Sequence, residues 1–308
     1  MTREIYFYLF SLFLISATLS GQQVIDSTFT YEVKSPAYDF NTGPVILIDE
    51  FHNNDMSIKN RMFPLIKVLK DDGYRIKPLK ESISSSSLAQ SKLLVIIGAL
   101  HGANVDNWKL PTPDALSDEE VIELMHWIHQ GGNLLLVADH MPFPGAVKNL
   151  THQLGVEWYN GFVIDSINWG MSVFSKRDNT LNQHEFLNGR AEFEQVNWVA
   201  TYYGSGFKIK DSSIVGLFSF NNKDIVSYQT VKAWEMGPNT PIIPSDKLYQ
   251  AAIMNKGRGK VALIGEASLF SAQLVGKDEN PVGINFQNDH QNLQFVLNLF
   301  HWLSGVFD

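Results

Sequence analysis

The chain contains no cysteine in 308 residues. That excludes disulfides, thiolate metal sites, thiol nucleophiles and the lipid-modified cysteine of a bacterial lipoprotein. A chain of this length buries enough surface to fold without covalent staples, so its stability has to come from a core. Basic charge is also scarce. Lys and Arg number 24 against 32 Asp and Glu, for a formal net charge of -8. No basic stripe is left to neutralise a phosphate backbone, which argues against nucleic acid as a partner. Beyond the N-terminus no stretch approaches the ~18 unbroken apolar residues that a membrane span requires.

The N-terminus reads MTREIYFYLFSLFLISATLSGQQ. A lone Arg3, an apolar run from Ile5 to Ile15 and the small residues Ser16-Ala17-Thr18 follow the order of a secretory signal. The expectation is a signal peptide over 1–21, cleaved near Ser20 or Gly21, and a periplasmic or extracellular address. An uncleaved anchor is the alternative. Residues 22–43 have few periodic apolar positions and read as an N-terminal arm.

From Pro44 the pattern changes. PVILIDEFH is a continuous apolar run with a polar end, as in a central parallel strand covered on both faces. An amphipathic helix is expected over Ile58 to Asp72, a strand over Tyr74 to Leu79, a polar break at Ser84 to Ser87, and a buried strand over Lys92 to Leu100. Ser117 and Glu120 form a capping box for a helix whose inward stripe is Val121, Leu124, Met125 and Ile128, and Gly131-Gly132 stops it. NLLLVADH reads as a fourth strand, followed by a helix from Ala146 to Leu154. This alternation gives βαβ units and a mostly parallel sheet with helices on both faces. Residues 156–250 are rich in aromatics, Asn and Ser and read as a β-rich insertion. Lys260 to Gly265 returns to the buried-strand pattern. A final helix, Gln291 to Leu303, is expected with Asn288 or Asp289 as its cap.

Three segments carry a family resemblance. GGNLLLVADHMPFPGAVKNLTHQLGV resembles the strand, sharp turn and helix of class I glutamine amidotransferase-like domains. GKVALIGEASLF resembles their late strand, and NQHEFLNGR resembles an element of the ThuA-like and gliding- or ABC-transporter-associated members. The likeness covers roughly residues 44 to 303 and implies a flavodoxin-like sheet. Glutaminase members of the family place a nucleophilic Cys on the turn after the fourth strand and its His on the late strand. Here Asp139, His140 and Met141 occupy that turn, while Glu266 and Ser268 stand near the late positions, so thioester chemistry is excluded.

Polar residues gather at the expected strand ends: Glu50 and His52, His101, Asp139 and His140, Glu266 and Ser268. Open parallel sheets bind ligands beyond these carboxyl ends. Asp139, His140 and Glu266 are the candidate catalytic residues, and Glu50, His52, His101 and Ser268 the candidate ligand-binding ones. A His with carboxylates could hold a divalent metal or work as an acid–base pair. No spacing matches a metal motif such as HExxH, so no metal ligand or other cofactor is assigned. Solvation accounts for His126 and His129, and a helix-end role for His152 and His301. Ser205, in YYGSGF, lacks the strand-to-helix setting of a nucleophile elbow. Three readings follow: an accessory domain that binds a small molecule or glycan, an Asp/His/Glu hydrolase, or an envelope scaffold that contacts a protein partner through the aromatic insertion.

Overall fold

The computed structural model describes residues 23–165, 170–221, 225–287 and 289–308. The expected signal peptide, Trp169 and Asn288 lie outside the described residues.

The main sheet has nine strands. In chain order they are β1 Val45–Asp49, β2 Arg75–Leu79, β3 Leu93–Ile97, β4 Asn133–Val137, β5 Val156–Trp158, β6 Phe207–Ile209, β7 Val215–Ser219, β8 Tyr249–Lys256 and β9 Gly259–Ile264. They lie in the order β2-β1-β3-β4-β9-β8-β6-β5, and β7 also pairs with β8. The run β2-β1-β3-β4-β9 is parallel throughout. Taken in sequence its strands stand in the order 2-1-3-4-5, a doubly wound arrangement. From β8 onward the pairing is antiparallel.

Strand alternation assigns each side chain to one of two cores. Ile46, Val95, Val137 and Ile264 face one side, where they meet helices α1 (Phe63–Asp71) and α5 (Gln291–Ser304). Leu47, Leu94, Leu136 and Leu263 face the other. There they meet α2 (Ser85–Leu88), α3 (Asp118–His129) and α4 (Lys148–Leu154). With both faces covered, continuous apolar runs such as LLVII are what this sheet requires.

Several boundaries differ from the expectation. α1 begins at Phe63, with Pro64 in its first turn, because residues 58–62 form turns instead. Ser84 to Ser87 close into a helical turn with its own capping box, since the Ser84 and Ser87 hydroxyls each satisfy a local backbone group. A short 3-10 turn, Gly145–Val147, precedes α4. Asp289 does not cap α5; His290 takes that position in the left-handed region, with no side-chain cap. The segment read as an insertion also contributes to the main sheet. Its strands β5, β6 and β7 extend that sheet, while Phe162–Asp165, Ile225–Tyr228 and Ile242–Pro244 pair separately. Before them all, the arm contributes Gln23–Ile25 to a small sheet with Ala272–Val275 and Asn280–Gly283.

Candidate functional site

Parallel register brings two carboxyl groups together. Val137 pairs with Ile264 at the ends of β4 and β9. Asp139 and Glu266 stand at equivalent positions just beyond that pair, so both leave the sheet at the same edge. Glu266 is fully buried, whereas Asp139 is partly exposed. Glu266 accepts backbone N–H bonds from Ser268 at 2.8 Å and Leu269 at 3.0 Å, which closes the turn Ser268–Phe270.

Burial, reinforced by the neighbouring Asp139, pushes the Glu266 carboxyl up to about 8, against the pull of the Ser268 and Leu269 bonds. Burial also raises Asp139, and so does the nearby Asp55; His140 and Arg61 oppose them. Neutral water therefore finds Glu266 as a carboxylic acid beside a second carboxyl, a pair that offers both a donor and acceptors.

The residues 202–206 run across this edge. Ser205 N–H donates to Gly265 O at 2.7 Å, and the Ser205 hydroxyl donates to Ala138 O at 2.8 Å. The same hydroxyl accepts the Trp158 indole N–H at 2.8 Å. Ser205 is thus a buried tie between two strand ends rather than a nucleophile. Gly204 has φ +89, and a Cβ there would lie 2.2 Å from Gly265 O and 3.1 Å from the Cβ of Glu266. Only glycine allows that approach.

His140 follows Asp139 into an aromatic box. Its backbone N–H donates to Asp139 Oδ1 at 2.7 Å, and its ring Nδ1 lies 2.8 Å from Met141 O. The imidazole stacks on Phe162, with centroids 4.2 Å apart and planes at 13°. Trp234 meets it edge-on at 4.7 Å, and Trp108 lies 5.7 Å away. The two tryptophans come from loops that are stitched together, with Ala233 N–H on Trp108 O at 2.8 Å and Leu110 N–H on Val231 O at 2.8 Å. Tyr203 packs against Trp234 at 5.7 Å.

The other candidates are held elsewhere. His52 has both ring nitrogens on carboxylates: Nδ1 lies 2.9 Å from Asp49 Oδ2, and Nε2 lies 3.0 Å from Glu120 Oε1. Burial opposes its charge, but Asp49 and Glu120 prevail and raise it. Glu120 is lowered to about 2: burial works against its charge, while the N–H groups of Ser117 and Ile83, the Ser82 hydroxyl and His52 favour it. The network joins the end of β1 to the start of α3. Glu50 accepts the Ile58 N–H at 2.9 Å, and His101 uses Nδ1 to accept the Ala103 N–H at 3.1 Å. Ser268 stays with Glu266.

His126 and His129 are exposed, as expected, and His152, in the last turn of α4, is exposed as well. His301 is buried, and the reason is a partner rather than a helix dipole: its Nε2 lies 2.7 Å from Asp72 Oδ2. The sequence reading missed Asp55, which reaches the site's electrostatics and pairs with Arg61 at 2.8 Å. It also missed Trp108 and Trp234. None of the three sits at a strand end, where the signal was sought. Among the described residues no group of three or more His, Asp or Glu is arranged to hold a metal ion.

No family model and no curated protein matches the chain. Among solved structures, the mmIFT52 N-terminal domain superposes with a TM-score of 0.57 at 16% identity, covering 84% of this chain and 97% of that one. At that identity the likeness shows the fold alone. A ThuA-like protein from Bacteroides uniformis matches with a TM-score of 0.45 at 11% identity, over 89% of this chain and 94% of its own. The cytoplasmic protein STM3548 from Salmonella typhimurium gives 0.46 at 11% identity, over 84% and 98%.

Proposed function

We propose that this is an exported accessory domain of class I glutamine amidotransferase-like fold, without the Cys-His pair, that binds a small polyhydroxylated molecule or glycan beyond β4 and β9. One observation carries the reading: a partly exposed Asp139 beside a buried Glu266 whose carboxyl is pushed up to about 8, on the edge where His140 sits among Trp108, Trp234 and Phe162. Sugar hydroxyls need both donors and acceptors, and the C–H face of a sugar ring packs on aromatic side chains.

The raised Glu266 also supports a second reading, in which the carboxyl pair works as acid and base in a hydrolase. A hydrolase that clusters His52 or His101 with the pair is not favoured, because both have local structural partners instead. Binding is therefore the preferred function.

The test is a thermal-shift panel of mono- and oligosaccharides on the mature chain, with metal analysis alongside, repeated on Trp234→Ala and Asp139→Asn. Stabilisation by a sugar, lost in both variants, is the expected result. No shift with any sugar, or equal shifts in the variants, would sink it. Turnover of a glycoside would favour the hydrolase.

A further inference from the structure

His140 has one ring nitrogen committed and one uncommitted. Nδ1 lies 2.8 Å from the Met141 carbonyl, which can only accept, so Nδ1 carries a proton. Among the described residues Nε2 has no hydrogen-bond partner, and it is not one of the buried atoms left without one, so it stays in reach of solvent as the ring's open position. Phe162 stacked on one face fixes the ring plane, so the direction of the Nε2 lone pair is fixed as well.

The residue is only 7% exposed, and Trp234 meets its ring edge-on at 4.7 Å. Trp234 is itself 52% exposed and sits at φ +66. A bulky residue is strained in the left-handed region, and half of this one is open to solvent. A strained, half-exposed side chain held mainly by ring contacts moves at little cost.

We propose that His140 Nε2 is the acceptor that reads a hydroxyl or N–H donor on the ligand, and that Trp234 is a cover that must swing aside to admit it. This rests on the binding reading above, and it narrows the ligand to one that presents a donor next to a face able to stack on an indole. A purely apolar ligand, or one whose polar groups only accept, leaves Nε2 unpaired and is rejected.

Diethyl pyrocarbonate attacks an unprotonated imidazole nitrogen and so probes Nε2 directly, with no ligand needed. Carbethoxylation is followed residue by residue by mass spectrometry on the mature wild type, Trp234→Gly and Trp234→Phe. Glycine relieves the positive φ, so that variant is expected to fold. The exposed His101, His126 and His129 serve as internal standards. His140 is expected to react slowly in the wild type and in Trp234→Phe. In Trp234→Gly it should react about tenfold faster, the change that ~1.4 kcal/mol in the covered–uncovered equilibrium gives. Equal rates in wild type and Trp234→Gly overturn the cover. No reaction at His140 in any variant overturns the presented lone pair. Either failure leaves the sugar panel's result standing, so the two proposals fail separately.

Discussion

Asp139 and Glu266 are made neighbours by register: Val137 and Ile264 pair on adjacent parallel strands, and each carboxyl residue follows its strand by the same short step. Two acids at the end of one ladder raise each other, and only one needs a proton to relieve the repulsion. Burial selects Glu266 for that proton.

A pH dependence follows. The Glu266 carboxyl ordinarily titrates near about 4.3 in an unfolded chain, and in the fold it rises to about 8. Between those values the folded state holds more protons than the unfolded one, so this group makes stability fall as pH rises. Glu266→Gln should flatten the slope of Tm against pH across that window. An unchanged slope in the variant would show that Glu266 is ionised in the fold.

The His52 network has the opposite boundary on its acid side. His52 is raised, so its contribution is complete below the unfolded histidine value of about 6.5 and is lost as pH rises through the folded value. Glu120 is lowered to about 2, so its contribution is complete above the usual carboxylate range and is lost as pH falls toward that value. The network is therefore strongest in mildly acid solution. Removing one partner of a buried ion pair costs about 3–5 kcal/mol, and His52→Gln should approach that figure in urea unfolding at mildly acid pH. A loss under about 1 kcal/mol would mark the network as solvated.

Ser205→Ala tests the tie across the strand ends. It strands the buried Trp158 indole N–H and takes the donor from Ala138 O. Unsatisfied buried groups cost about 1–3 kcal/mol each, so a loss of at least that size is expected by chemical denaturation. Gly204→Ala should be worse, because the added methyl meets Gly265 O at 2.2 Å and φ is +89. If Gly204→Ala were as stable as the wild type, the segment would not cross the edge as described.

How far the sequence revealed this depends on the kind of signal. Apolar runs such as VILID and NLLLV announce buried strands, and a run's polar end marks where a ligand edge lies. That much placed Asp139, His140 and Glu266 at one edge of the sheet. Nothing in the runs tells a strand-end residue left partly exposed from one consumed internally. His52 and Asp139 look alike in sequence, and only the third element, α3, takes His52 away through Glu120. Trp108 and Trp234 join at the site through loop-to-loop backbone bonds, which have no periodic signature. His301 was read as a helix-end cation, because its partner Asp72 lies 229 residues away in the chain.

The most direct measurement is a carbon-detected NMR titration of the side-chain carboxyls in the protein, assigned with Asp139→Asn and Glu266→Gln. Glu266 should titrate with a midpoint of about 8, moving down when Asp139 is replaced. A Glu266 midpoint in the ordinary carboxylate range, unmoved by Asp139→Asn, would contradict a coupled pair at this edge and with it the site built on it.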